Sequence, residues 1–216
     1  MIAQRLLATV FAATLTSAPV TAQESDAKPT FAVKGAGLAR CSDFLTAVEN
    51  RDPQRFLFGG WLQGYISAIN EAEDSMYDLV PWQSFATLGS LMVQICEQSP
   101  DTRYRNAAVQ LLRTFRAGKL DQYSEPVSIS GGERDIRLPA AVLERAQARL
   151  AALGHYAGDA DGLWGPQSEQ AFKAFQESRG IPVSGLPTQQ TLFVLLTQGA
   201  AGAAGSDSGS NGADTP

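Results

Sequence analysis

Apolar residues recur every three or four positions through residues 40–115 and again through 137–198, and both stretches are interrupted by turn formers. In "CSDFLTAVEN" Phe44, Leu45 and Val48 fall on one helical face, opened by a capping-type Ser42 or Asp43. "PQRFLFGGWLQGYISAINEAEDSMYD" places Phe56, Phe58, Trp61, Leu62, Tyr65, Ile66 and Ile69 close to helical spacing. Gly59, Gly60 and Gly64 weaken that helix; they admit the close approach of another helix, with a ligand slot as the alternative. "PWQSFATLGSLMVQICEQSP" predicts a third helix with Phe85, Leu88, Leu91, Met92 and Ile95 inward. A fourth, in "DTRYRNAAVQLLRTFRAG", turns Ala108, Leu111, Leu112 and Phe115 inward. Trp61, Tyr65 and Phe85 read as core aromatics.

The second periodic stretch predicts three more helices. The first, "PAAVLERAQARLAALG", carries Val142, Leu143, Ala146, Leu150 and Leu153 as its stripe and stops at Gly154. Next, "PQSEQAFKAFQESRG" starts on proline, turns Ala171, Phe172 and Phe175 inward and stops at Gly180. The last, "TQQTLFVLLTQG", is capped by Thr188, with Leu192, Leu195 and Leu196 inward. Between the blocks, residues 118–136 offer turn formers and few large apolar groups, so they read as a linker. Residues 23–39 read as a flexible leader, and 199–216 as a Gly/Ala/Ser tail too poor in apolar groups to order itself. The fold class expected is all-α, with two small helical domains at 40–117 and 137–198.

The chain's start changes the setting. Arg5 precedes an apolar run from Leu6 to Leu15, with small residues at Val20 and Ala22. That is the pattern of a secretory signal peptide over residues 1–22, cut after Ala22. The run is too short to cross a bilayer, which takes about 20 residues. The expectation is an exported, periplasmic protein with no membrane span in its mature form. In an oxidising compartment the isolated pair Cys41 and Cys96 is expected to form a disulfide, restricting the unfolded chain by about 4 kcal/mol. Two cysteines and the single His155 cannot supply an ordinary metal-ligand set, so neither metal nor cofactor is expected. The net charge of −5 comes with no basic stripe, which argues against nucleic acid as a partner.

One passage resists the helical pattern: "HYAGDADGLWGPQSEQAF", from His155 to Phe172. Asp161-Gly162 is turn chemistry, since the carboxylate bonds backbone amides while glycine accepts a positive φ. Asp159 and Asp161 read as caps of this turn rather than as a catalytic pair. A weak echo follows about 26 residues on, from Gly154 to Gly180: "GIPVSGLPTQQTLFVL" repeats the order glycine, small residues, Gly-Leu, proline, helix. Leu153-Gly154-His155-Tyr156, Asp161-Gly162-Leu163-Trp164-Gly165-Pro166 and Ala171-Phe172-Lys173-Ala174-Phe175-Gln176 together resemble the three-helix peptidoglycan-binding domain of cell-wall hydrolases and their accessory proteins. Ser168 and Ser184 depart from the residues usual in that family, and the second loop is short.

The resemblance implies noncovalent binding of peptidoglycan, not its cleavage. Glycopeptide offers hydroxyls, amides, carboxylates and apolar sugar faces, so its receptor should combine aromatic surface with a few hydrogen-bonding groups. The candidate ligand-binding residues are Tyr156, Asp161, Trp164, Gln167, Gln176 and Arg179. Hydrolases of this polymer use a zinc set, a cysteine–histidine pair or paired carboxylates in a cleft, and no enzyme is expected here. "CSDFL", "GGWLQGY" and "LMVQICEQSP" make the first domain similar to small exported helical proteins, among them periplasmic acid-stress chaperones and immunity proteins of secreted amidases. Two readings follow: a wall-binding protein that tethers a helical interaction domain, or a chaperone or inhibitor whose residues 40–115 engage a protein client or amidase.

Overall fold

Four helices follow the first periodic block: α1 (Cys41–Glu49), α2 (Arg55–Ala72), α3 (Phe85–Gln98) and α4 (Tyr104–Phe115). The computed structural model describes residues 31–131 and 134–197. By its contacts the chain divides into Met1–Ala32 and Val33–Pro216, and the second unit holds every element described below. The segment read as a signal peptide and the tail 199–216 lie outside the described residues.

The caps explain where helices start. In α1 the Asp43 carboxylate accepts the Arg40 N–H at 2.8 Å, so Asp43 serves from the third helical position rather than as the cap itself. In α3 the Ser84 hydroxyl accepts the Thr87 N–H at 3.1 Å. Cys41 and Cys96, both fully buried, are disulfide-bonded and tie the start of α1 to the end of α3. Beside them Phe44, Phe58 and Tyr104 pack with ring centroids 4.9 to 5.3 Å apart. Such contacts contribute roughly 0.5–1.5 kcal/mol each beyond area burial. Burial pushes the Tyr104 hydroxyl well above the ordinary tyrosine range.

Two expectations for this block need correction. Phe85, read as core, is 44% exposed: it is the first residue of α3 and its ring lies over Gly59 of α2. A Cβ on Gly59 would stand 2.3 Å from that ring, so the glycine admits a side chain rather than a second helix. Part of the stretch read as a flexible leader is ordered. Gly35–Leu38 forms a 3-10 turn against α2, and the Trp61 indole N–H donates to the Lys34 carbonyl at 2.7 Å. The Tyr104 N–H reaches back to the Ala39 carbonyl at 2.9 Å, anchoring the entry to α1.

The stretch read as a linker is also structured. Leu120 exchanges backbone bonds with Asp78 and is buried. Strands β1 (Pro126–Gly131) and β2 (Arg134–Pro139) form an antiparallel hairpin with Ile129 opposite Ile136 and Val127 opposite Leu138. Val127, Ile129, Ile136 and Leu138 join the second core, with Ile129 and Leu138 fully covered. Alternation in "VSIS" and "DIRL" supplies that apolar face. The fold is therefore mostly helical with one small hairpin.

Helices α5 (Ala140–Ala152), α6 (Pro166–Arg179) and α7 (Gln189–Leu196) complete the second core around Leu143, Leu150, Phe172, Phe175, Leu192 and Leu195. Trp82, from the loop before α3, is buried in this core and meets Phe115 edge-on at 6.2 Å. The Gln189 side chain accepts the Ser84 N–H at 2.7 Å and the Thr87 hydroxyl at 2.8 Å, and donates to the Trp82 carbonyl at 2.5 Å. Phe193 of α7 packs against both cores. No helix among the described residues is long and apolar enough to cross a membrane.

Candidate functional site

The Asp-Gly loop is organised from inside by Gln147 of α5. Its side chain is fully buried among Leu143, Ala146 and Leu150, where an unbonded amide would be costly. The carbonyl accepts the Gly162 N–H at 2.8 Å; the amino group donates to the Leu163 carbonyl at 2.9 Å and the Ser168 hydroxyl at 3.1 Å. Gly162 sits at φ +71°, and a Cβ there would stand 2.7 Å from the Ala140 carbonyl oxygen, so the position takes only glycine. Asp161 closes the turn by accepting the Leu163 N–H at 2.9 Å. Gln147 was not among the sequence candidates. Its signal was a polar residue within the apolar stripe of its helix.

The echo in the sequence is a structural repeat of this device. Gln176 of α6 is fully buried; its carbonyl accepts the N–H groups of Ser184 and Gly185, at 2.9 and 2.8 Å. Its amino group donates to the Leu186 carbonyl and the Thr191 hydroxyl, both at 2.9 Å. Ser184 then accepts the Leu186 N–H at 3.2 Å, as Asp161 does for Leu163. Gln176 is thus corrected from ligand contact to internal brace, because both ends of its amide are engaged beneath the surface.

The two loops differ in what covers them. Leu163 on the first is 65% exposed. Its counterpart Leu186 lies against the end of β1, where a Cβ on Gly131 would be 2.3 Å from its side chain. The second loop exposes Val183 (51%) instead, while the leucine that follows the glycine is open only on the first. There Tyr156 is half-buried, with its hydroxyl donating to the Asp159 carbonyl at 3.1 Å. Its hydroxyl oxygen and the side-chain oxygen of exposed Gln167 both flank Gly158, 2.8 and 2.7 Å from where a Cβ would stand. Trp164 is half-buried with its ring tilted on Phe172 at 5.6 Å, and Asp161 is exposed.

Tyr156 and Gln167 therefore meet at Gly158, while Asp161 and Trp164 follow on the same loop, Asp161 turned onto the Leu163 N–H and Trp164 onto Phe172. Arg179 does not join them. It ends α6, twelve positions beyond Gln167, which is about 18 Å along the axis at 1.5 Å per residue. Its guanidinium lies 5.4 Å from the Phe175 ring centre, and the His155 ring meets the same phenylalanine. Leu163 is the exposed member that sequence reasoning missed; a leucine after Asp-Gly carried no sign of facing outward. Among the described residues no group of three or more His, Cys, Asp or Glu side chains is placed to hold a metal ion.

Residues 141–195 match the family model described as "Putative peptidoglycan binding domain", so the C-terminal part of the chain carries a domain of that type. A curated relative, "Putative OxPP cycle protein OpcA" of Nostoc punctiforme, is 41% identical over 66 residues, covering 31% of this chain and 14% of that protein. The chain thus spans a small fraction of that relative's length. No solved structure matches.

Proposed function

We propose that this is an exported, non-catalytic peptidoglycan-binding protein that tethers its helical block to the cell wall, in the periplasm. The observation that carries the reading is the match over residues 141–195 falling on a loop that is braced from below and open above. Leu163, Trp164 and Tyr156 supply apolar and aromatic surface, and Gln167 and Asp161 supply hydrogen-bonding groups suited to sugar hydroxyls and peptide amides. Both cysteines are in the disulfide, which leaves no thiol nucleophile, and the sole histidine packs on Phe175. These features support binding without cleavage.

The test is sedimentation with purified insoluble peptidoglycan. The parent protein should pellet, and a Tyr156→Ala, Gln167→Ala double variant should pellet several-fold less at an unchanged melting temperature. A parent that stays in the supernatant overturns the reading. Release of soluble wall fragments during the incubation overturns its non-catalytic part.

A second reading is favoured by a separate observation. Phe56 and Leu57 at the start of α2 are 61% and 66% exposed, and Phe56 borders a cavity of about 280 Å³ shared with Gly59 and Phe85. An apolar surface of this kind suits a protein client or an inhibited amidase. Suppression of client aggregation at acid pH, or amidase inhibition, lost on Phe56→Ser with wall binding retained, would place the working surface there.

A further inference from the structure

A cavity of about 270 Å³ opens where α4, α5, α7 and the loop before α3 meet, and the wall-binding reading makes no use of it. Its apolar walls include Phe115, Val142 and Leu196; its polar lining includes Arg145, Gln83 and Thr114. No aspartate or glutamate lines it. Arg145 is positioned rather than loose: its guanidinium donates to the Gly118 and Lys119 carbonyls at 2.6 and 2.8 Å. A guanidinium has five N–H donors, so three remain for a ligand. None of the ion pairs among the described residues involves Arg145.

Size and charge narrow the occupant. Small-molecule sites run from about 300 to 1,000 Å³, so this cavity falls just below that range and is too small to enclose a disaccharide. A guanidinium anchored by two backbone bonds, with N–H groups to spare and no carboxylate partner, beside a cavity this small and apolar calls for a carboxylate next to small side chains. Gln83 and Thr114 are placed at the same cavity to meet a peptide amide. We propose that the cavity takes the free C-terminal end of a small-residue peptide, carboxylate on Arg145 and methyl side chains against Val142 and Leu196, as the alanine-ended stem peptides of peptidoglycan provide. The source of the ligand rests on the wall-binding reading. The pocket itself is distinct from the Asp-Gly loop and is built jointly by the two helical blocks, so neither block alone contains it.

The experiment is calorimetric titration of the full exported chain with diacetyl-lysyl-D-alanyl-D-alanine, with its C-terminal amide and with octanoate. The free acid should bind, and the amide at least about tenfold more weakly, the scale of one lost charge-assisted hydrogen bond. Arg145→Gln should lose the same factor. Because that change also releases the Gly118 and Lys119 carbonyls, Ala117→Phe serves as a second variant. It fills the mouth, leaves Arg145 in place and should abolish binding at an unchanged melting temperature. Equal binding of acid and amide, octanoate binding as tightly as the peptide, or no binding at millimolar concentration overturns the assignment. Sedimentation with peptidoglycan separates this result from the wall-binding reading. A parent that pellets without binding the peptide sinks only the pocket. A parent that binds the peptide without pellets sinks only the loop-based reading.

Discussion

Replacing Gln147 with leucine is the sharpest test of how the Asp-Gly loop is held. The substitution keeps volume and helix propensity but removes the amide from a fully buried position. The Gly162 N–H, which it bonds at 2.8 Å, is left buried without that acceptor, and the Ser168 hydroxyl loses its close partner. Stranding a buried donor costs about 1–3 kcal/mol. The Leu163 carbonyl contributes less, since it belongs to an exposed residue and keeps the Ser168 hydroxyl at 3.4 Å. The expected loss is about 3 kcal/mol in total. At roughly 2–4 °C per kcal/mol for a unit of this size, the melting temperature should fall by about 6–12 °C.

Gln147→Glu separates hydrogen bonding from shape. The carboxylate still accepts from Gly162 but cannot donate to Leu163, and it stands near Asp161, whose oxygen is 3.3 Å from the present amino group. Burial and that neighbour raise the folded-state pKa of the new glutamate above its unfolded value of about 4.3. The penalty should therefore be absent below that pH and grow as pH rises through it. Thermal melts followed by far-ultraviolet dichroism at pH 4 and pH 7.5 read both effects. A leucine variant melting within about 2 °C of the parent would refute the account of the loop, since a donor worth at least 1 kcal/mol cannot then be stranded.

Thiol labelling of the native protein should find no free cysteine, and reduction should lower stability by up to about 4 kcal/mol on the chain-entropy scale for a separation of 55 residues; two reactive thiols in untreated protein would contradict the pairing. Trp82→Ala should cost about 3–5 kcal/mol and loosen amide protection in α5 and α7 as well as near α3, because the ring is buried in the second core. If hydrogen exchange changes only around α3, the shared packing is wrong. Gly131→Val should lower the melting temperature by a few degrees through its clash with Leu186 while leaving the first loop unaffected, as read by Trp164 fluorescence. Limited proteolysis should spare residues 126–131, where strand pairing protects the backbone; early cutting there would restore a flexible linker.

Helix positions were legible because periodicity and punctuation agreed. Val142, Leu143, Ala146 and Leu150 are the buried stripe of α5; Gly154 and Gly180 take φ of +80° and +62° after their helices; and the Thr188 hydroxyl accepts the Thr191 N–H. Three features were hidden for different reasons. The hairpin was masked by serines and glycines, which read as turn formers although Val127, Ile129, Ile136 and Leu138 give each strand an apolar face. Gln147 interrupts the apolar stripe of α5, but neither it nor Gln176 shows in the sequence that a loop folds over it. Phe85 obeys helical spacing, but the first turn of α3 projects beyond the core, and local periodicity carries no knowledge of where a neighbouring element ends.

That hairpin also covers one leucine of the second loop, Leu186, whose counterpart Leu163 on the first is open. Both loops hang from a buried glutamine that grips a glycine N–H, a leucine carbonyl and a hydroxyl on the following helix. In the first, glutamine and hydroxyl are 21 positions apart; in the second, 15. The longer connection accommodates the Tyr156–Asp159 turn and sets Tyr156 against Gln167, for which the shorter one has no room. The end of β1 then lies over Leu186, and Gly131 is the residue that lets it come so near. Exposing the second loop, for instance with a bulky residue at 131, should therefore add apolar surface without adding wall binding. It would still lack the aromatic and the amide that the longer loop brings together.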